Sequence, residues 1–248
     1  MGDLVLRRLD QGVAVISWNR PDKHNAINDD MSAAWREAMD WALDDPEVRC
    51  ILLRGEGPSF SSGRDLTELG RRAHGESDYA FVKGYQDNAL RHAESPKPIV
   101  AALRGYVLGG ACEIALRADV RIAASDIQLG MPEIKAGLLP DTGGTQLLTV
   151  LAGPSRAKYL VMTGERIGAD EAQRWGIVDF VVEPDELDEA ALALASKLAA
   201  SPPTAVAMAK QLIDGVWAEQ VRRGMRQELL AQTMLFAERD RQGQRRPE

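Results

Sequence analysis

Two glutamates lie twenty residues apart, each beside glycines. Glu113 ends Leu-Gly-Gly-Ala-Cys-Glu (108–113), which follows an apolar run typical of a buried strand. Glu133 belongs to Met-Pro-Glu-Ile (131–134) and precedes the glycine-rich segment 137–146. Glycines after a strand let backbone N–H groups approach a ligand, and the first N–H groups of a following helix lack partners inside it. Such donors stabilise an oxyanion and paired carboxyl groups transfer protons, so the pattern indicates an enzyme active site.

The length and composition agree with a compact, soluble, globular enzyme. The chain has 248 residues, of which 45% are hydrophobic and 27% charged. The net charge of −7 argues against nucleic acid as a partner. Cys50 and Cys112 lie in apolar stretches without metal-ligand spacing, which favours free thiols in a reducing compartment. Because neither a signal sequence nor a membrane-spanning apolar run is evident, we expect a cytoplasmic protein without a membrane partner.

Strand and helix patterns alternate in the first half of the chain. A helix is predicted from residue 29 to 43, since Asn28 is suited to the N-cap and Asp45-Pro46 to the end of the helix. The order of strand, helix and strand predicts an α/β fold with helices packed on a sheet. Buried strands are predicted over 13–18, 50–53, 99–103 and 120–123.

The chain beyond Gly143 shows mainly helical patterns. We divide the protein into a core of residues 1–190 and a helical region of residues 191–248, and we expect the charged stretch 238–248 to be frayed. One short strand is predicted over 177–182. Helices are predicted over 143–151, 154–162, 169–175, 187–200, 204–216 and 217–239.

Five segments resemble the motifs of the crotonase (enoyl-CoA hydratase/isomerase) superfamily and follow the order expected there. The resemblance covers nearly the whole chain. It implies an α/β, crotonase-like spiral of ββα units, followed by a helical C-terminal region for oligomerisation. The segments are Asn-Arg-Pro-Asp-Lys-His-Asn-Ala-Ile (19–27), Phe-Ser-Ser-Gly-Arg-Asp-Leu (60–66), Gly-Gly-Ala-Cys-Glu (109–113), residues 131–146 and parts of 160–178.

The resemblance implies acyl-CoA thioester substrates, whose enolate is stabilised by two backbone N–H groups. By position, these donors are Arg64, directly after Gly63, and Gly110, three residues before Glu113. The resemblance also assigns proton exchange at the substrate α-carbon to Glu133, and the orientation and deprotonation of water to Glu113. It implies neither a metal nor another cofactor, since coenzyme A is part of the substrate.

Substrate-binding residues are also implied by the resemblance. The loop that contains Ala26 is expected near the CoA adenine and phosphates. Arg64 departs from the small or apolar residue usual in the superfamily, and its side chain could pair with Asp141 or Glu133 or bind a polar group of the acyl chain. The implied substrate-binding residues are Ala26, Arg64, Asp65, Leu66 and Gly110.

Subunit assembly is a further implication. Members of the superfamily form trimers, often paired into hexamers, so we expect a homotrimer or a dimer of trimers. The last helix contains apolar residues that a small core could hardly absorb, which agrees with contacts between subunits. These residues are Leu229, Leu230, Met234 and Phe236.

Asp141 leaves the reaction open at this stage. It lies eight residues after Glu133, where simple enoyl-CoA hydratases often have glycine. An acid here is similar to that of certain isomerases and of dehydratases for substituted acyl groups. Pro-Asp-Thr-Gly is equally suited to cap the helix that starts at residues 142–143.

Hydration of a 2-enoyl-CoA to a 3-hydroxyacyl-CoA is the first interpretation. The alternatives are an enoyl-CoA isomerase, in which Glu133 or Asp141 moves the proton, and a dehydratase of a substituted acyl-CoA. A third interpretation, an acyl-CoA-binding paralogue with little activity, is disfavoured because Glu113 and Glu133 are both present.

Overall fold

The protein forms two sheets surrounded by helices in a computed structural model that describes residues 2–71 and 74–243. The strands are β1 (Val5–Asp10), β2 (Val13–Trp18), β3 (Cys50–Gly55), β4 (Ile99–Leu103), β5 (Tyr106–Leu108), β6 (Val120–Ala124), β7 (Gln128–Gly130), β8 (Arg166–Ile167) and β9 (Phe180–Val182). The helices are α1 (Asp29–Asp44), α2 (Asp78–Ala93), α3 (Gly110–Leu116), α4 (Gly144–Ala152), α5 (Pro154–Thr163), α6 (Ala169–Arg174), α7 (Leu187–Ala200), α8 (Pro203–Asp214) and α9 (Ala218–Arg241). The α/β class and the ββα order predicted from the sequence are confirmed.

The larger sheet has the strand order β1-β2-β3-β4-β6-β9. Only β1 and β2 pair antiparallel, and the remaining neighbours are parallel. Every residue of β2 and of β4 is buried, as parallel strands require when helices cover both faces.

The two faces of this sheet carry separate cores because side chains alternate along each strand. Ile16, Ile51 and Ala101 belong to the core that also includes the buried side of α1. The opposite face packs against α7 through small side chains that allow close approach. Helix α7 spans the boundary between residues 190 and 191 predicted from the sequence, and that division stays a prediction.

The smaller sheet brings the two glutamates together. β5 and β7 are parallel, with Leu108 opposite Gly130. The N–H of Gly109 then donates to the carbonyl oxygen of Gly130 at 3.0 Å. Because parallel strands end at the same edge, the chain leaves β5 toward Glu113 and β7 toward Glu133 on one side of the sheet.

Several elements differ from the sequence predictions. The predicted strand over 177–182 is formed only from Phe180 to Val182. Helix α9 continues to Arg241, so the expectation that the chain frays from residue 238 is wrong for residues 238–241. Residues 244–248 lie outside the described ranges. The sequence patterns did not predict β1, β5, β7, β8 or α2.

The C-terminal helices contribute to both the interior and the surface. Leu229 and Phe236 are buried in a small core with Val82 of α2 and Leu138, so half of the predicted subunit-contact stripe is covered within the chain. Leu230 and Met234 are exposed, and their place in a subunit contact stays a prediction. No helix in the ranges that the structure describes has the length and apolarity needed to cross a bilayer.

Candidate active site

The predicted catalytic residues meet at one cavity of about 170 Å³. Aromatic and aliphatic side chains from α1, α2 and α9 form much of its wall. Such a cavity, apolar with a few converging polar groups, is the usual form of a small-molecule site. The predicted residues at its wall are Arg64, Gly110, Glu113, Glu133 and Asp141.

Glu113 lies in α3 and is 2% exposed. Its Oε1 atom accepts hydrogen bonds from the backbone N–H groups of Thr142 at 2.9 Å and Gly144 at 2.8 Å. These N–H groups are at the start of α4, where the helix dipole also stabilises negative charge. Within the described ranges Oε2 makes no hydrogen bond, so it is the oxygen that can contact a water molecule.

Glu133 lies in the 3₁₀ turn Pro132–Ala136 that follows β7. Its buried Oε2 atom has no hydrogen-bond partner among the described residues. Burial, and then the nearby charge of Glu113, raise the pKa of Glu133 to about 8. The side chain is therefore mostly protonated at neutral pH, and it can donate a proton.

Two glycines with left-handed backbone shape the adjacent peptide groups. Gly63 has φ +88°, and a Cβ there would lie 2.5 Å from the carbonyl oxygen of Leu108. Gly109 has φ +56°, and a Cβ there would lie 3.0 Å from Oε1 of Glu133. Only glycine fits these two positions without strain, so the segments before Arg64 and Gly110 can lie against each other.

The backbone N–H groups of Arg64 and Gly110 have no protein acceptor within residues 2–71 and 74–243. Arg64 lies in a parallel bridge with Ile27. The N–H of Ile27 donates to the carbonyl oxygen of Gly63 at 2.8 Å, and the N–H of Asp65 donates to the carbonyl oxygen of Ile27 at 2.9 Å. The Arg64 N–H lies between these two bonds and points away from them. Gly110 is the first residue of α3, so its N–H lacks an intrahelical partner.

Asp141 does not cap α4 with its side chain, and that interpretation of the sequence is wrong. The N-cap is Gly143, which makes no side-chain capping bond. Instead, Oδ2 of Asp141 accepts a hydrogen bond from the amide of Gln232 at 3.1 Å. The carboxyl groups of Glu113 and Glu228 occupy the N–H groups at the start of this helix.

Arg64 does not pair with Asp141 or Glu133. Its guanidinium binds the carboxylate of Asp29 and also contacts the carbonyl oxygen of Ile27 at 3.4 Å. The side chain therefore anchors the start of α1 from the cavity wall, and both ion pairs considered from the sequence are wrong.

The predicted CoA-contact residues fall into two groups. Asp65 pairs with Arg20 at 2.7 Å, which lowers the pKa of Asp65 to about 2. Arg20 also donates to the carbonyl oxygen of Ala26 at 3.1 Å, so Asp65 fixes the loop of Ala26. Leu66 is 76% exposed, so its side chain is accessible to a ligand.

Sequence reasoning missed three polar side chains around the glutamates. Glu228 and Gln232 are buried on α9, and Arg117 follows α3, where its guanidinium donates to the carbonyl oxygen of Thr142 at 2.8 Å. The helical spacing of residues on α9 could have identified Glu228 and Gln232. Met225, Leu229 and Gln232 recur at helical intervals, and a glutamate within that stripe is placed against the core.

Comparison with known proteins identifies the family. The family model for enoyl-CoA hydratase/isomerase matches residues 8–246. The chain belongs to this family. It is 40% identical over 204 residues to the short-chain-enoyl-CoA hydratase of Clostridium acetobutylicum, and the match covers 82% of this chain and 77% of the relative.

An isomerase and a solved structure are also similar. The 1,2-epoxyphenylacetyl-CoA isomerase of Escherichia coli is 34% identical over 217 residues, covering 86% of this chain and 83% of the relative. A crystal structure of an enoyl-CoA hydratase/isomerase from Xanthobacter autotrophicus has 32% identity and a TM-score of 0.84, with 94% of this chain and 87% of that chain covered. The predicted crotonase-type fold is thereby confirmed.

Proposed function

We propose that the protein is an enoyl-CoA hydratase, which adds water across the double bond of a 2-enoyl-CoA thioester. The observation that carries this proposal is the pair of different carboxyl groups at the cavity. Burial, and then the charge of Glu113, raise the pKa of Glu133 to about 8. Glu113 has its Oε1 atom held by two backbone N–H groups. One side chain can donate a proton and the other can receive one. Relatives named as hydratases support the same reaction.

The proposed reaction begins with the thioester carbonyl oxygen at the backbone N–H groups of Arg64 and Gly110. Glu113 takes a proton from water as the oxygen forms a bond to C3. The π electrons move to C2 and the thioester, where the two N–H groups stabilise the enolate. Glu133 then gives its proton to C2. The net change is the addition of H and OH, and the proton on Glu113 returns to Glu133 through solvent.

The cavity and the loop outside it support a position for each end of the substrate. We propose that the acyl group occupies the cavity and that coenzyme A lies outside it, along Ala26, Asp65 and Leu66. The loop of Ala26 is held by Arg20, and Leu66 is exposed beside it. Proton transfer from water to one carboxyl group and from the other to C2 requires neither a metal nor a redox cofactor, and we propose that the enzyme uses none.

Double-bond isomerisation is the second candidate. Asp141 lines the same cavity as the two glutamates, where its carboxylate could move a proton between C2 and C4 of an enoyl-CoA. The relative named 1,2-epoxyphenylacetyl-CoA isomerase is consistent with this alternative. Dehydration of a substituted acyl-CoA is the hydratase reaction in reverse and needs the same groups.

The hydratase and isomerase proposals are separated by their products. Purified protein is incubated with crotonyl-CoA and, separately, with a 2-enoyl/3-enoyl pair such as 2-hexenoyl- and 3-hexenoyl-CoA. A hydratase gives 3-hydroxyacyl-CoA from each 2-enoyl substrate, with loss of the conjugated-enoyl absorbance. Interconversion of the hexenoyl isomers without hydroxyacyl product would support the isomerase instead. Absence of both reactions would support the acyl-CoA-binding paralogue.

We also propose that the enzyme is a cytoplasmic homotrimer or a dimer of trimers, without a nucleic-acid or membrane partner. Helix α8 has no buried residue, and it carries large apolar side chains on its surface. With Leu230 and Met234 of α9, they form an exposed apolar surface of the kind that oligomers cover. Analytical ultracentrifugation at micromolar concentration is expected to give a trimer or hexamer, and a monomer alone would contradict the proposal. The α8 residues are Met208, Leu212 and Ile213, with Val216 just beyond the helix.

A further inference from the structure

Glu228 reaches from α9 to the start of α4. Its Oε2 accepts a hydrogen bond from the backbone N–H of Gly143 at 2.8 Å. Its Oε1 accepts from the N–H of Thr145 at 3.2 Å and from the hydroxyl of the same residue at 2.6 Å. The residue is 5% exposed. Both carboxyl oxygens are therefore committed to one helical turn.

Glu113 and Glu228 accept hydrogen bonds from alternate residues along this turn. The N–H groups of residues 142 and 144 donate to Glu113, and those of residues 143 and 145 donate to Glu228. These are the N–H groups that a helix start leaves without backbone partners. Any movement of the turn that lengthens the bonds to Glu228 also displaces the two donors that hold Oε1 of Glu113.

The charges around Glu228 make its position costly. Burial, and then the charge of Glu113, raise the pKa of Glu228, and Asp141 acts in the same direction, whereas the hydrogen bonds from Thr145 and Gly143 favour the carboxylate. Arg117 is the neighbouring positive charge, and its guanidinium binds the carbonyl oxygen of Thr142. A glutamine would reduce this electrostatic cost, but it offers only one acceptor oxygen where the turn presents two separate N–H groups.

We propose that Glu228 is a positioning residue of the reaction: it fixes the first turn of α4 and, through that turn, the orientation of Glu113. This inference rests on the proposed hydratase function. It gives α9 a role in the active site in addition to subunit packing. Glu228 touches the turn and not the reacting atoms, so its removal affects turnover more than substrate binding.

Steady-state kinetics of Glu228→Gln on crotonyl-CoA provides the first test. A displacement of Glu113 by a fraction of an ångström is expected to lower kcat by about tenfold or more, with KM within about twofold of wild type. Glu238→Gln on the exposed side of the same helix is the matched control, and it is expected to retain wild-type kcat. Wild-type kcat in Glu228→Gln would overturn the inference.

A double-mutant cycle tests whether Glu228 acts through Glu113. Once Glu113→Gln has removed the water-activating group, adding Glu228→Gln is expected to cause little further loss of kcat. Losses that multiply would show independent action and overturn the inference. Wild-type hydration and a large effect of Glu113→Gln alone establish the proposed function separately. If Glu228→Gln does not fold, Thr145→Val removes the hydroxyl bond to Glu228 and serves in the same cycle.

Amide hydrogen exchange gives a readout that does not depend on activity. In Glu228→Gln, exchange of the segment 141–146 is expected to accelerate by about tenfold or more, including the N–H groups of Thr142 and Gly144 that bind Glu113. Exchange in the sheet should stay unchanged. Uniform acceleration throughout the protein would indicate a purely structural role, and unchanged exchange at 141–146 would show that the turn does not depend on Glu228. Either result would overturn the inference.

Discussion

Glu133→Gln is expected to stabilise the folded protein at alkaline pH while it removes the proposed proton donor. Glu133 is partly buried, and its buried Oε2 atom has no hydrogen-bond partner in the described ranges. Ionisation in this place is costly because burial and the charge of Glu113 both oppose it. Glutamine has nearly the same shape and does not ionise, so the variant avoids that cost.

The size of the effect follows from proton binding. The pKa of Glu133 is about 8 in the folded protein against an ordinary value of 4.5, and at about 1.4 kcal/mol for each pH unit this difference corresponds to about 5 kcal/mol. The folded state keeps its proton to higher pH than the unfolded state does. Wild-type stability from this group is therefore fully present below about pH 4.5 and is lost as the pH rises to about 8.

Urea unfolding at a fixed protein concentration, from pH 5 to pH 9, measures this difference. The free energy of unfolding of Glu133→Gln minus that of wild type should rise by about 4 kcal/mol across the range. Glu165→Gln is the control, because Glu165 is an exposed carboxylate and should give no comparable trend.

A stability difference that stays constant with pH would contradict this prediction. It would mean that Glu133 ionises as easily in the folded protein as in the unfolded chain. A variant that is less stable than wild type at pH 9 would contradict it further, because the ionised side chain would then be contributing favourable interactions.

Four further predictions concern activity on crotonyl-CoA. Glu113→Gln should lower kcat by about 10²-fold or more, as measured by loss of enoyl absorbance, because the amide cannot take a proton from water. Gly109→Ala should lower kcat by about 10²-fold, since the new Cβ would meet Oε1 of Glu133 at 3.0 Å. Gly137→Ala is the control: its Cβ has open space at φ +67°, so the variant shows the effect of backbone strain alone. The rate profile of wild type should fall above about pH 8, where Glu133 loses the proton that it donates, and a flat profile to pH 10 would exclude that role. Asp141→Asn should stay within about threefold of wild type because the amide oxygen can still accept from Gln232, and a loss of about 10²-fold would instead indicate proton transfer by Asp141.

The sequence predicted the buried strands of the larger sheet because their apolar runs are long and continuous. Residues 13–18 and 99–103 are examples, and both form strands with the predicted bounds. β5 and β7 have three residues each, which is too short for a periodic pattern to develop. Helix α2 contains Gly84 and has both polar and apolar side chains on its buried face, so its helical periodicity was equally hard to identify.

Residue types and spacing found the two glutamates, but only the fold gives their relation. The pairing of Leu108 with Gly130 places both glutamates beyond the same edge of the smaller sheet, and no local sequence pattern encodes that register. Glu228 is separated from Glu113 by more than a hundred residues, so its contact with the same helical turn depends on the packing of α9. The direction of the Arg64 side chain likewise depends on Asp29, which sequence spacing alone does not select.

The proposed reaction is the addition of water across a 2-enoyl-CoA by Glu113 and Glu133. The most direct measurement follows the product of crotonyl-CoA by mass spectrometry and NMR, in D₂O and in ¹⁸O-labelled water. We expect 3-hydroxybutyryl-CoA with one deuterium at C2 and the labelled oxygen at C3, formed about 10²-fold more slowly by Glu113→Gln and by Glu133→Gln. Deuterium exchange or isomerisation without incorporation of the labelled oxygen, or undiminished incorporation in either variant, would contradict it.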